Sequence, residues 1–304
     1  MAWTLLLLAV LIWGIQPLVI KIVLAVFSVS FAAFARSLVA AVFFRLVAIR
    51  SSPGSASAPS PSELRTRGLV LWLVLGGLGL GLGNVLWNLS LTRTTVGASS
   101  VLQMGANIII ALYGIIALQE RCTRLRTMGL LLFLGGMFLV SWNGEDLSTL
   151  ASSRYFQGNL LALASGIAFS VCAIAQKVSV PGRSSVSVGV PIFALSALTC
   201  GTTALFGPVL VSGFSPAMLA ALILTGLIGM GLGNVLFTEA MRTVTASVGA
   251  AALAACPMVS LVCAALMLHE PTSAYLLAGA PLTCMGVAAA IASEPAASAG
   301  GRPT

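Results

Sequence analysis

Gly81-Leu82-Gly83-Asn84-Val85-Leu86 occurs twice: residues 231–236 read Gly231-Leu232-Gly233-Asn234-Val235-Leu236. The offset of 150 residues continues without a gap on both sides, pairing Gly79 with Gly229, Trp87 with Phe237, Glu120 with Glu270, Gly129 with Gly279 and Gly136 with Gly286. Further upstream the offset is 156, pairing Trp13 with Phe169 and Lys21 with Lys177. A six-residue identity in one register is improbable by chance, even in a chain rich in Gly and Leu. The chain therefore contains an internal repeat, and the repeat sets the fold.

The surroundings of both copies are apolar. Of 304 residues, 59% are hydrophobic and 7% charged, with a mean hydropathy of +1.07. Soluble domains carry about 25% charged residues, so these few charges cannot cover a water-facing surface. This excludes an ordinary cytosolic enzyme, a nucleic-acid binder and a disordered chain. Ten apolar segments are predicted, at 3–25, 30–49, 68–91, 95–119, 127–143, 156–178, 186–207, 215–240, 246–268 and 273–292. Each is near the ~20 residues a helix needs to span a bilayer, and too long for an outer-membrane strand. The expected fold is an all-α integral membrane protein of ten transmembrane helices. Residues 1–143 form a first five-helix repeat, 144–155 a linker, 156–293 a second repeat and 294–304 a cytoplasmic tail. Five is odd, so the second copy enters the membrane from the opposite side, an inverted-topology plan common among secondary transporters.

The net charge of +8 reads as a topology signal, because the basic residues sit in short loops between apolar runs. With the N-terminus inside, the inner loops hold Arg50, Arg65, Arg67, Arg121, Arg124, Arg126 and Arg183, with Lys177 and Arg242 at helix ends; the outer loops hold Arg93 and Arg154. This places both termini in the cytoplasm. The first segment lacks the basic start of a signal peptide and is expected to remain as a helix. The Ser/Pro-rich stretch 51–62 is expected to be a flexible loop. Most of the six cysteines lie in apolar runs, no Cys-x-x-Cys occurs, and His269 is the single histidine. Neither a disulfide framework, a metal site nor a cofactor is expected.

Polar residues inside the spans are the site candidates, since a polar group in hydrocarbon needs a partner or a wet cavity. Asn84 and Asn234 lie at matched depth; each is either an interhelical hydrogen bond or a cavity-lining amide. Gln16, Gln103 and Asn107 are near the middle of spans one and four, where a substrate site would want them. Arg36, about 10 Å inside span two at 1.5 Å per residue, is a functional candidate unless it snorkels outward. Lys21 and Lys177, nearer helix ends, are expected to snorkel, and Glu239 to pair locally with Arg242. Trp13 and Trp87 are deep enough to face a cavity, whereas Trp3, Trp72 and Trp142 suit the interfacial belt. Pro17 and Pro257 are mid-span and read as hinges or as packing bends. Gly79 with Gly83, and Gly229 with Gly233, are small-x-x-x-small pairs that let a neighbouring helix approach. No strand precedes them and no Walker lysine follows, which argues against a nucleotide loop.

These residues resemble the EamA family of the drug/metabolite transporter superfamily. Trp13-Gly14 followed by Lys21 looks like its first-helix pattern, and Arg36 matches the Arg of its second helix. Residues 246–250 (Ala-Ser-Val-Gly-Ala), Cys256-Pro257, His269-Glu270-Pro271, Gly279 and Gly286 look like its last two helices; Ala98-Ser99-Ser100, Gln119-Glu120-Arg121, Gly129 and Gly136 repeat them. Asn107 departs from the pattern, where the family usually has Pro. The resemblance implies ten helices around a central cavity and export of a small polar metabolite, such as an amino acid or derivative, across the inner membrane. The expected partners are a small-molecule substrate and the lipid bilayer, with a homodimer as one assembly and no nucleic acid. A channel or scaffold is the alternative. An intramembrane enzyme would need a nucleophile with a base or clustered ligands, which the pattern lacks.

Overall fold

The computed structural model describes residues 2–50, 67–104, 123–144, 153–179, 183–240 and 255–292. The elements are α1 (Ala2–Val23), α2 (Val29–Arg50), α3 (Arg67–Leu91), α4 (Val96–Gln103), α5 (Arg124–Trp142), α6 (Arg154–Ser179) and α7 (Ser185–Ala204). There follow α8 (Pro216–Leu224), running through a π-helical stretch (Thr225–Leu232) into α9 (Gly233–Ala240), then α10 (Cys256–Met267) and α11 (Ala274–Ala292). Among the described residues the sole extended pairing is an antiparallel bridge between Phe27 and Leu210. Among the described residues, seven helices, ending with the continuous run Pro216–Phe237, are long and apolar enough to cross a bilayer; Cys256–Met267 and Ala274–Ala289 are shorter apolar helices. Much of the expected fourth and ninth spans lies outside the described residues. The surface is apolar: Leu131, Leu198, Leu266 and Phe206 are 63%, 65%, 72% and 91% exposed. Such a surface suits lipid, not water.

The helices do not segregate by half. α1 packs on α9 and α10, α2 on α7, α3 on α6 and α7, α4 on α6 and α10, and α5 on α11. Exchanging each helix for its repeat mate turns α1–α9 into α6–α3 and leaves α2–α7 and α5–α11 unchanged, while the repeat mates of α4 (246–253) and α10 (106–117) lie outside the described residues. The packing thus carries the two-fold relation of the sequence repeat.

The repeated glycines sit where backbones cross. A Cβ at Gly83 would lie 2.8 Å from the Phe169 ring on α6, and one at Gly233 would lie 2.7 Å from Trp13 Nε1 on α1. Phe169 and Trp13 are repeat mates, so these are two copies of one crossing. The α5–α11 interface is built likewise: a Cβ at Gly136 would stand 2.6 Å from Gly279 O, and one at Gly286 2.6 Å from Gly129 O. Side chains there would push the helices apart.

Helix ends are satisfied locally. Thr95, Thr123, Ser184 and Ser215 accept from the backbone N–H three residues on, at the starts of α4, α5, α7 and α8. α5 ends in a left-handed Asn143 (φ 53°), followed by Gly144 at φ 73°. Asn143 Oδ1 also accepts from Ser273 Oγ at the start of α11.

Candidate functional site

Between the halves lies a cavity of about 380 Å³, within the ~300–1,000 Å³ range of small-molecule sites. α1 contributes Trp13, Gln16 and Pro17, and α6 opposes it with Phe169, Cys172 and Ala173. The first three are spaced i, i+3, i+4 and so share one helix face. The second three are their mates at an offset of 156, so the same face of the same helix lines the cavity from both halves. Likewise Leu80 and Asn84 on α3 are matched by Met230 and Asn234.

The symmetry breaks where charge enters. Arg36, on α2, lines the cavity and is 1% exposed; its mate at the same offset is Ile192. Arg36 Nη1 donates to Asn88 Oδ1 at 3.2 Å, and its guanidinium carbon stands 5.7 Å from the centre of the Trp87 ring. Both partners are neutral. Among the described residues no Asp or Glu lines the cavity. Four lining residues also keep a buried polar atom without a hydrogen-bond partner there: Arg36 Nε, Asn84 Nδ2, Trp87 Nε1 and Ser100 Oγ.

The second half handles its groups differently. Asn234 Nδ2 donates to Met230 O at 2.7 Å, and Trp13 Nε1 to Gly229 O at 2.8 Å. Both carbonyls belong to the π-helical stretch, whose wider turn shifts the regular ladder, and side chains supply donors there. The corresponding part of α3 is regular helix.

About 6 Å along α1 from Pro17, by helical rise, Lys21 forms a second constellation. Its Nζ donates to Glu270 Oε1 at 2.6 Å and to Thr94 O at 2.9 Å, while Glu270 Oε2 accepts from Val96 N–H at 2.7 Å. Val96 is the first residue of α4, so the carboxylate caps a helix N-terminus, where negative charge is favoured. Lys21 was expected to snorkel; the partner that holds it instead is 249 residues away. Among the described residues no group of three or more His, Cys, Asp or Glu is placed to hold a metal ion.

Residues 1–142 and 156–292 each match the EamA-like transporter family. The chain belongs to that family. A protein of known crystal structure superposes with a TM-score of 0.64 over 96% of this chain and 96% of its own, at 19% sequence identity. At that identity the likeness concerns the fold alone. No curated protein matches the sequence. The protein is thus a multi-pass membrane transporter of the EamA type, and its two family matches fall on the two halves that share the cavity.

Within this EamA protein, Trp13, Gln16, Arg36, Asn84, Trp87, Gln103 and Asn234 are brought together at the cavity, as are Pro17 and Pro257. Asn107 lies outside the described residues, as does Arg242, the partner expected for Glu239. Glu239 is exposed and away from the cavity. Pro17 is inside α1, but Pro257 stands in the first turn of α10, where its missing N–H costs little. Gly229 also lines the cavity, while Gly79, Gly83 and Gly233 serve the helix crossings. Sequence reasoning passed over Ser100, Gln176 and Ser260. It also passed over Cys172 and Ala173, which the offset already pointed to as mates of Gln16 and Pro17.

Proposed function

We propose that this EamA-like transporter is a secondary carrier that exports a small polar metabolite, such as an amino acid or derivative, by alternating access. The observation that carries the reading is the cavity, whose walls are repeat-related faces of both halves. In this reading ten spans form two inverted copies, 1–143 and 156–293, that rock about a site near the membrane midplane. The protein resides in the inner membrane with both termini cytoplasmic, as the basic loops favour. Trp13, Gln16, Arg36, Asn84, Trp87, Gln103, Asn107 and Asn234 form the substrate site, and Pro17 and Pro257 act as hinges. Absence of a nucleotide-binding motif in the sequence favours a gradient as the energy source.

Counterflow tests this. Substrates nominated by metabolite profiling of an overexpressing strain are preloaded into proteoliposomes, and uptake of labelled substrate is followed. A carrier gives saturable, transient accumulation above equilibrium. Uptake that merely equilibrates, whatever the internal load, supports a channel instead.

A further inference from the structure

We infer that the cavity contains a subsite for a single carboxylate, held by Arg36, Asn84, Trp87 and Ser100. The inference rests on the cavity being the substrate site. Three of the unpartnered atoms, Arg36 Nε, Asn84 Nδ2 and Trp87 Nε1, are N–H donors with no lone pair to offer; Ser100 Oγ can donate as well. Buried donors without acceptors are costly, and a buried guanidinium with neutral partners is more so. An oxyanion relieves all of these deficits together: it supplies the missing negative charge and the lone pairs. Arg36 approaches its carboxylate with the Nε edge, since Nη1 is engaged by Asn88.

The charge count sets the class. Arg36 is the one cationic residue among the described lining residues, and no acid lines the cavity. A monoanion is neutralised there; a dianionic phosphate would keep a charge without a partner. A substrate ammonium would find amide oxygens and aromatic faces but no carboxylate. Phe169, Phe193 and Met230, which also line the cavity, take an apolar body. The ligand is a compact monocarboxylate with an apolar body. Asn234 does not duplicate the subsite, because one of its two amide N–H groups is held by Met230 O and the mate of Arg36 in that half is Ile192.

The test is equilibrium titration of purified protein, followed by tryptophan fluorescence. The probes are N-acetyl-leucine, its uncharged amide N-acetyl-leucinamide, and the cation leucinamide. Wild-type protein should bind the acid roughly tenfold or more tighter than either amide, the scale of a charge-assisted hydrogen bond. Arg36→Gln should erase the preference. Should that variant fail to fold, Asn88→Asp decides: it keeps the 3.2 Å contact but gives Arg36 an internal counter-ion. It also removes the donor that Asn88 Nδ2 gives Val29 O at 3.3 Å, so its melting temperature should fall below that of wild type; the folded protein should lose the acid preference, which a merely structural arginine would not do. Equal binding of acid and amide by wild type, or a preference surviving in Asn88→Asp, overturns the subsite. Counterflow on the same preparations separates the two ideas. Counterflow of acid and amide alike leaves the carrier and removes the subsite; acid-selective binding without counterflow leaves the subsite and removes the carrier.

Discussion

Exchanging the charges of Lys21 and Glu270 should not restore what either single substitution loses. The pair has side-chain exposures of 30% and 11% and a 2.6 Å contact. Hydrogen bonds to charged groups contribute about 1.5–3 kcal/mol when buried; with Lys21 partly in solvent, the coupling of the pair should be about 1 kcal/mol. Each residue also holds a backbone group. Lys21→Ala leaves Thr94 O without its donor and should cost about 1–2 kcal/mol in all. Glu270→Ala also removes the cap from Val96 N–H, bringing its cost to about 2–3 kcal/mol. In the double exchange Lys21→Glu/Glu270→Lys the ion pair returns with reversed sign. The new lysine then faces a backbone donor at a helix N-terminus, and the new glutamate faces a carbonyl oxygen. The exchanged protein should stay about 3 kcal/mol below wild type, as unstable as the double alanine variant. Unfolding titrations in mixed micelles on the wild type, the alanine variants and the exchange measure this. Recovery to within about 0.5 kcal/mol of wild type would show a plain ion pair and refute the network; strict additivity of the alanines would refute the coupling.

Four further outcomes are expected. Gly136→Val, whose Cβ would lie 2.6 Å from Gly279 O and Thr283 N, should abolish monodisperse protein, whereas Gly135→Val, with nothing within 4 Å, should not; size-exclusion profiles compare them. Asn84→Ala should lower transport while leaving melting unchanged, and Asn234→Ala should lower both transport and the melting temperature, because it also strips Met230 O of its donor; equal melting temperatures for the two variants would contradict the assignment of roles. Expression in a strain lacking its own exporters should not raise resistance to ethidium or methyl viologen, since no acid faces the cavity among its described residues. In a cysteine-free background, Ser148→Cys should react with an impermeant thiol reagent added from outside and Ser57→Cys should not; the opposite pattern reverses the orientation.

The architecture was legible because it is written twice. A repeated run of Gly, Leu and Asn survives where backbones must touch, so Gly79, Gly83, Gly229 and Gly233 announced the crossings before their partners were known. The cavity face of α1 was legible in Trp13, Gln16 and Pro17, an indole, an amide and a mid-span proline at i, i+3, i+4. Its mate on α6 was half hidden, since Cys172 and Ala173 do not stand out in an apolar run. Lys21 was misread for a different reason. Helix position alone favours snorkelling, and the partner that overrides it is a carboxylate from the other half. The π-helical stretch was not legible in composition, because Thr225–Leu232 keeps the glycines at 226, 229 and 231 of its regular counterpart 75–82 and differs from it at Thr225, Leu227, Ile228 and Met230, none of which marks a π-helix. The two also differ in their neighbour: α1 supplies Trp13 as a donor to Gly229 O. The paired carbonyl belongs to Gly79, at the crossing with α6, where Phe169 stands in place of Trp13 and has no N–H to give.

That difference bears on how a two-fold-related carrier can hold an asymmetric ligand. A ligand shifts a conformational equilibrium only by its differential affinity for the two states. A carboxylate gripped from both halves would be released whenever the halves move apart, so one state would bind it far more tightly and trap it. In the proposed subsite every donor belongs to the first half: Arg36 on α2, Asn84 and Trp87 on α3, and Ser100 on α4. The donors can therefore travel as a unit with the bound anion, and the charge keeps its partners in both states. The second half offers Phe169, Phe193 and Met230 as apolar surfaces, with Gln176, Asn234 and Ser260 as polar groups that bring no charge. The glycines that set the crossings are kept in both halves, and the arginine that holds the charge stands against an isoleucine.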